Sequence, residues 1–159
     1  MVVHIVVLKS VTIFYSKRAC RLFVALFILT LFTAVVLAAE ANDITGIWTN
    51  EDRDGRIRIY QCGKEYCGDI VWTKDGPEVD VNNPNPGLRN RRIIGLIIMH
   101  GFHYAGDSEW KGGELYDPKT GHTYRGNLRL TAPDSLELRG YVLVPLFGRT
   151  TSWTRFEPK

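Results

Sequence analysis

Residues 122–144 read HTYRGNLRLTAPDSLELRGYVLV, and this stretch decides the fold class. On both sides of the turn at Ala132-Pro133-Asp134, apolar or small residues alternate with polar ones at a period of two. Such alternation is typical of β-strands that have one buried face and one solvated face. We therefore expect an antiparallel hairpin with Gly126 and Gly140 facing inward, where glycines either bend the strands or leave room inside.

The same alternation recurs through residues 42–159, between breaks that are rich in Gly, Pro and Asp. No apolar repeat has helical spacing over three turns, and nearly all connections have hairpin length. The sequence predicts an all-β fold, a single antiparallel up-and-down barrel of about eight strands, with a two-sheet sandwich as the alternative. The predicted strands are 44–50, 56–62, 67–73, 93–103, 109–116, 122–131, 135–144 and 149–156.

Residues 1–41 have the pattern of an export signal. Three basic residues between positions 17 and 21 precede the uncharged run LFVALFILTLFTAVVL at 22–37, and Ala39-Glu40-Ala41 has the small-x-small pattern that signal peptidase reads. We predict cleavage after Ala41, which leaves a periplasmic barrel domain at 42–159 without a membrane span. The alternative is an uncleaved segment that anchors the chain in the inner membrane.

The charge of the chain belongs to this leader. It holds four of the 20 Lys and Arg residues and one of the 17 acidic residues, so the rest of the chain carries 16 of each. A formally neutral body has no broad basic surface, which argues against a nucleic-acid partner. Its length is that of one domain.

Two cysteines remain after Cys20 leaves with the leader. Cys62 and Cys67 lie in QCGKEYCG, where the four intervening residues are turn-like. In an exported protein this arrangement favours a structural disulfide across a hairpin. A redox site would need C-x-x-C spacing, and a metal site would need two further ligands nearby.

One connection is too long for a hairpin. Residues 74–92 contain Asn83-Pro84-Asn85-Pro86 and end in a cluster of arginines at positions 89, 91 and 92. Arginines at a barrel mouth suit a carboxylate or phosphate head group. The alternative is that they pair with neighbouring acidic residues, namely Asp69, Asp75, Glu78 and Asp80.

Candidates for catalysis are few. His100 and His103 are separated by three positions on a predicted strand, so their side chains should point to opposite faces and cannot share a metal. No serine lies in a nucleophile motif, and His122 stands apart near a turn. We predict no catalytic site, no metal site and no cofactor.

The ends of the body resemble the signature of calycins, the superfamily of lipocalins and fatty-acid-binding proteins. Gly46-Ile47-Trp48 opens the first strand and Trp153-Thr154-Arg155 closes the last. In calycins the tryptophan of a G-x-W motif plugs one end of the barrel, and an arginine of a late strand lies across its indole. The resemblance implies that an Arg155–Trp48 cation–π contact joins the first and last strands and so closes the barrel.

A longer match covers nearly all of the body, which resembles the bacterial family called domain of unknown function 2147. The family resemblance implies an exported, lipocalin-like barrel and implies no known reaction. The matching features are Gly46-x-Trp48, Arg56-Ile57-Arg58-Ile59-Tyr60, Cys62 to Cys67-Gly68, Asn83-Pro84-Asn85-Pro86, Leu88-Arg89-Asn90-Arg91, Gly95-Leu96, Trp110-Lys111-Gly112-Gly113, Tyr116-Asp117-Pro118, Gly121, Tyr124, Leu138-Arg139-Gly140-Tyr141 and Trp153-Thr154-Arg155.

From these patterns we expect a barrel that binds a small apolar or amphipathic molecule, which enters beside the 74–92 loop. One alternative is a structural or interaction module of the envelope whose barrel is filled by side chains. Another is a small enzyme with a histidine or carboxylate aimed inward. The candidate ligand-binding residues are Leu96, Ile98, Tyr124, Leu128, Leu138 and Val142, with Arg91 and Arg92 at the mouth.

The leader prediction has a direct test. N-terminal sequencing of the protein recovered from the periplasm should begin at Asn42, because the small-x-small pattern ends at Ala41. A terminus at Met1 or Val2 would show that the segment is retained.

Overall fold

The computed structural model describes residues 40–143, 146 and 148–158. In these residues eight antiparallel strands form one closed barrel in chain order, which confirms the predicted up-and-down barrel. No helix in this part of the chain is long and apolar enough to cross a membrane. The strands are β1 (Gly46–Thr49), β2 (Gly55–Cys62), β3 (Glu65–Thr73), β4 (Ile97–Gly106), β5 (Glu109–Asp117), β6 (His122–Ala132), β7 (Ser135–Tyr141) and β8 (Arg149–Arg155).

The observed strand boundaries differ from the predicted ones by three or four residues at the two ends of β4, which extends to Gly106 rather than 103, and at the end of β7. β4 begins four residues later than predicted because residues 93–96 form a turn, in which the Leu96 amide donates to the Ile93 carbonyl. β7 ends at Tyr141 rather than at 144, and Val142 is 69% exposed. The leader before residue 40 and Val144 lie outside the described residues.

The meander brings alternate connections to the same end of the barrel. The short β2–β3, β4–β5 and β6–β7 turns lie at one end, together with residues 40–45 and the segment after β8. We call this the closed end. The β1–β2, β3–β4, β5–β6 and β7–β8 connections lie at the other, which we call the open end. The β3–β4 connection includes a 3-10 helix, Pro86–Leu88.

Large aromatic side chains fill the half of the barrel next to the closed end. Trp48, Phe102 and Trp110 are fully buried, and Tyr66 packs edge-on against Trp110. Phe102 occupies the space in front of Gly113, where a Cβ atom would overlap its ring. This half therefore has a close-packed interior.

Residues 40–45 cover the closed end and satisfy its buried polar groups. The Trp48 Nε1 donates to the Ile44 carbonyl at 2.8 Å, and the Tyr66 hydroxyl donates to Asn42 Oδ1 at 3.0 Å. Trp110 Nε1 donates to the Ala41 carbonyl at 3.2 Å. Cleavage after Ala41 would remove this last contact and leave the other two.

Arg155 joins the first strand to the last, where the pairing of neighbouring strands is shortest. Only two residue pairs connect β1 to β8, Trp48 with Arg155 and Thr49 with Thr154. The guanidinium lies 4.3 Å from the centroid of the Trp48 ring. A Cβ at Gly46 would lie 2.6 Å from Arg155 Nη1, and the φ of +135° at this position is one that other residues rarely adopt, so a side chain here would displace the guanidinium. The contact implied by the calycin resemblance is confirmed.

The guanidinium of Arg155 also donates hydrogen bonds to three backbone carbonyls. Its Nη1 donates to Thr45, its Nη2 to Asp43 and its Nε to Pro133, at 2.6–2.7 Å. These carbonyls belong to the segment before β1 and to the β6–β7 turn. One side chain therefore ties β8 to two other parts of the closed end.

A disulfide closes the β2–β3 hairpin. Cys62 and Cys67 are bonded, with their Cα atoms 5.8 Å apart. The predicted structural disulfide is confirmed.

We expect Arg155→Lys to lower the free energy of unfolding by about 2–3 kcal/mol, because a lysine cannot serve the indole face and three carbonyls together. Urea denaturation followed by tryptophan fluorescence measures the effect. Arg125→Lys, at an exposed position on β6, is the matched control and should change stability by less than about 0.5 kcal/mol. Equal stability of the two variants would contradict the proposed role of Arg155.

Candidate functional site

The half of the barrel next to the open end contains a cavity of about 720 Å³. Its inner wall is mainly apolar, with hydroxyl groups at a few positions. The side chains of that wall are Ile57, Ile70, Ile93, Ile98, Leu115, Tyr116, Tyr124, Leu138, Thr151 and Trp153.

The two inward glycines have different roles. The ring of Phe102 fills the space in front of Gly126, where an added Cβ would lie 3.0 Å from its Cζ. The nearest atom to a Cβ at Gly140 is the Cβ of Tyr124 at 3.9 Å, and Gly140 borders the cavity. The two glycines are paired across β6 and β7, but Gly126 accommodates a core side chain whereas Gly140 leaves interior room.

An ion pair crosses the mouth of the cavity. Lys119 Nζ lies 2.6 Å from Asp54 Oδ2, and Asn50 donates to the other carboxylate oxygen at 2.7 Å. These residues are carried by the β1–β2 and β5–β6 connections. The two connections lie on opposite sides of the mouth, because four strands separate them in the closed order of the barrel. Hydrogen bonds from Asn50 and Lys119 lower the pKa of Asp54, while the hydrogen bond to Asp54 raises the pKa of Lys119. Both groups are therefore charged at neutral pH.

A buried carboxylate anchors the long β3–β4 connection. Asp80 is fully buried and accepts hydrogen bonds from the Tyr116 hydroxyl at 2.7 Å, Asn83 Nδ2 at 2.8 Å and Arg91 Nε at 2.9 Å. Burial alone would raise the pKa of Asp80, but these three donors outweigh it and lower the pKa. Because Tyr116 also lines the cavity, the anchor of the loop is part of the cavity wall.

The same loop is attached to the β5–β6 turn. Asn82 Nδ2 donates to the carbonyl of Lys119 at 2.8 Å. Gly121 has φ +74°, and a Cβ there would overlap the carbonyl oxygen of Asn82. Only glycine permits this close approach of the loop to the turn.

The predicted arginine cluster has other partners. Arg91 forms an ion pair with Asp80 at 2.9 Å, as in the alternative that pairs these arginines with acidic neighbours. Arg89 donates to the Asn83 carbonyl, and Arg92 is exposed. Neither Arg91 nor Arg92 lines the cavity, because the loop folds back on itself and directs Arg91 to its own carboxylate.

The six apolar and aromatic candidates fall into three groups. Ile98, Tyr124 and Leu138 line the cavity. Leu96 and Leu128 are buried but do not line it. Val142 lies beyond the end of β7 and is exposed, so its predicted inward orientation is wrong.

Several residues that line the cavity were not predicted from the sequence, among them Ile57, Ile70, Thr151 and Trp153. A signal for them was present, because in a meander the connections after odd-numbered strands all lie at one end. Inward positions nearest to those connections form the mouth of any cavity.

His100 and His103 point to the same outer face, so the prediction of opposite faces is wrong. A bulge at Gly101, with φ +74°, shifts the register of β4 against β3 by one residue. His100 lies 3.7 Å from Glu114, and His103 lies 3.6 Å from Glu65. In the described part of the chain, no three His, Cys, Asp or Glu side chains form a group that could hold a metal.

A family model described as "uncharacterized protein conserved in bacteria" (DUF2147) matches residues 46–155. The chain belongs to this family. The match extends from the first residue of β1 to the last residue of β8, so it contains the whole barrel. The family resemblance read from the sequence is confirmed.

Two solved structures are similar to the barrel, whereas no curated protein matches the sequence significantly. Protein HP1028 from Helicobacter pylori, described as a member of the lipocalin family, is 24% identical, with a TM-score of 0.66 over 72% of this chain and 83% of that chain. A redesigned β-barrel is 15% identical, with a TM-score of 0.42 over 75% of this chain and 96% of that chain. The similarity to HP1028 shows a lipocalin-like fold.

We expect Asp80→Asn to destabilise the protein by about 3 kcal/mol at neutral pH, because Arg91 loses a buried ionic partner. Folding lowers the pKa of Asp80 from its ordinary value of 3.8. The stabilising contribution of this carboxylate is therefore complete above pH 3.8 and is lost as the pH falls below that value. The difference between the variant and the native protein should therefore shrink in acid.

Urea denaturation at neutral and acidic pH tests this prediction, and hydrogen exchange of the β3–β4 loop reports the loss of its anchor. Glu78→Gln, at an exposed position on the same loop, is the control and should have little effect at either pH. A pH-independent difference, or protection of the loop as strong as in the native protein, would argue against the anchor.

Proposed function

We propose that this protein is exported to the periplasm and binds one small apolar or amphipathic ligand in the open half of its barrel. The cavity carries the proposal. Its volume of about 720 Å³ lies within the range of roughly 300–1,000 Å³ that is usual for small-molecule sites. Its mainly apolar wall would gain contact with an apolar ligand that leaves water.

The packing of the barrel favours ligand binding over a solid structural barrel. Trp48, Phe102 and Trp110 fill the closed half, whereas the open half keeps a cavity of about 720 Å³ although Tyr116, Tyr124 and Trp153 line it. Isoleucine, threonine and glycine contribute much of the remaining wall. A barrel built only for rigidity gains stability by filling such a space, since an unfilled volume forfeits packing contacts.

The ligand would enter between the four connections of the open end. The β3–β4 connection is held at one side of the mouth by Asp80 and Asn82, so the wall beside it is preformed. A preformed wall reduces the ordering that binding requires.

Two observations support export. The leader has the pattern of a signal peptide, and the Cys62–Cys67 disulfide is of a kind that persists in oxidising compartments such as the periplasm.

The geometry gives less support to an enzyme. A catalytic alternative needs a histidine or carboxylate aimed at the bound molecule, but His100, His103 and His122 are exposed and none of them lines the cavity. The carboxylates of the open end lie at the rim rather than on the inner wall.

Titration with the neutral fluorescent probe N-phenyl-1-naphthylamine tests the proposal. Its fluorescence should rise on binding, with one site per chain. Thr151→Trp places an indole in the cavity and should weaken binding about tenfold or more, because the indole takes the volume that the probe needs.

The adjacent Ser152 is exposed, so Ser152→Trp adds the same group outside the barrel and should leave the affinity unchanged. Absence of binding to the native protein, or equal loss in both variants, would refute the assignment of the site to the cavity. Titration calorimetry provides a readout that is independent of the added tryptophan.

A further inference from the structure

The rim of the cavity carries a marked excess of negative charge. Five acidic and two basic side chains line it, which gives a formal charge of −3 at neutral pH. The acidic residues are Glu51, Asp52, Asp54, Asp75 and Asp117, and the basic ones are Lys119 and Arg149.

Both cations of the rim have carboxylate partners. Lys119 pairs with Asp54 at 2.6 Å, and Arg149 lies 3.5 Å from Glu51. Three carboxylates remain without an ion-pair partner among the described residues. Those of Asp52 and Asp75 are on exposed residues, and that of Asp117 accepts only neutral donors, the Lys119 amide and the Thr120 hydroxyl.

The cations of the neighbouring segments do not line the cavity. Arg91 is bonded to the buried Asp80, and Arg89 donates to a backbone carbonyl. Arg53, Lys74 and Arg92 are exposed, and none of them lines the cavity. The charge that faces a ligand at the mouth is therefore negative.

We infer that the cavity selects amphipathic molecules with a cationic head group, such as a protonated alkylamine. This inference rests on the proposed function and assigns the chemical class of the ligand. The apolar body would pack against the inner wall near Ile98, Leu138 and Trp153, which places the head group among the rim carboxylates. An anionic head group would meet uncompensated like charges there.

The charge at the rim is opposite in sign to the one suggested by the arginine-rich loop. That loop indicated a carboxylate or phosphate ligand, but Arg89 and Arg91 bond within the loop and Arg92 does not line the cavity. The specificity-determining residues are instead Asp52, Asp75 and Asp117, which no motif in the sequence distinguishes from other surface acids.

Displacement of N-phenyl-1-naphthylamine by decylamine, decanol and decanoate tests the inference, because these compounds share a chain length and differ in charge. At neutral pH and low salt, decylammonium should displace the probe at about a tenfold lower concentration than decanoate, with decanol between them. High salt should reduce the difference, since it screens exposed charges.

Reversing the charge of the rim should reverse the order. Asp52→Lys combined with Asp75→Lys changes the formal charge of the rim by four, so decanoate should become the stronger competitor. Glu65→Lys combined with Glu157→Lys makes the same change at the closed end and should keep the native order. Thermal unfolding confirms that both double variants are folded.

The outcomes separate this inference from the proposed function. Equal displacement by the three compounds, tighter binding of decanoate to the native protein, or an unchanged order in the Asp52 and Asp75 double variant would overturn the selectivity and leave ligand binding intact. If neither the probe nor any of the three compounds binds, both the selectivity and the proposed function fail.

Discussion

The fold depends on the contact between Arg155 and Trp48, because the barrel has one weak seam. Every other neighbouring pair of strands shares at least three residue pairs, whereas β1 and β8 share two. An open seam would expose two strand edges with unpaired backbone groups. The guanidinium covers the indole face and also binds three carbonyls, so one planar side chain reinforces a seam that is otherwise held by the two strand pairs and by the Phe156 amide, which donates to the Ile47 carbonyl at 2.8 Å. A second cation–π arrangement, Arg56 between Trp72 and Phe156, holds the segment after β8 against the outside of β2 and β3.

This closure divides the molecule into two parts with separate roles. The closed half has the aromatic core, the disulfide and the contacts of Arg155, so it supplies much of the stabilising packing. The open half keeps a cavity between its side chains, and its loops are fixed by polar contacts. Because its wall contributes less to the core, substitutions such as Thr151→Trp can change the cavity without loss of the fold. The packed core and the cavity therefore lie at opposite ends of the same strands.

Local patterns predicted the parts of the structure that local chemistry determines. The alternation in residues 122–144 gave two strands because side chains of a strand alternate between faces, and the Cys62–Cys67 spacing gave the disulfide because it fits a hairpin.

The orientation of His103 could not be predicted in this way. A one-residue bulge at Gly101 reverses every later position of the strand, and alternation alone does not locate a bulge. The partner of Arg91 likewise depends on the path of an irregular loop, because the sequence offered several acidic candidates and did not distinguish Asp80 among them.

The ion pair of Lys119 and Asp54 has a consequence for how fast a bound molecule would leave. It joins opposite sides of the mouth and so divides the opening into two smaller apertures. Ion pairs at exposed positions contribute only about 0–1 kcal/mol, so the pair breaks and re-forms readily. Side-chain and loop motions of this kind take place within nanoseconds to microseconds. The residence time of a ligand would then be governed by its own contacts with the wall and not by a gate.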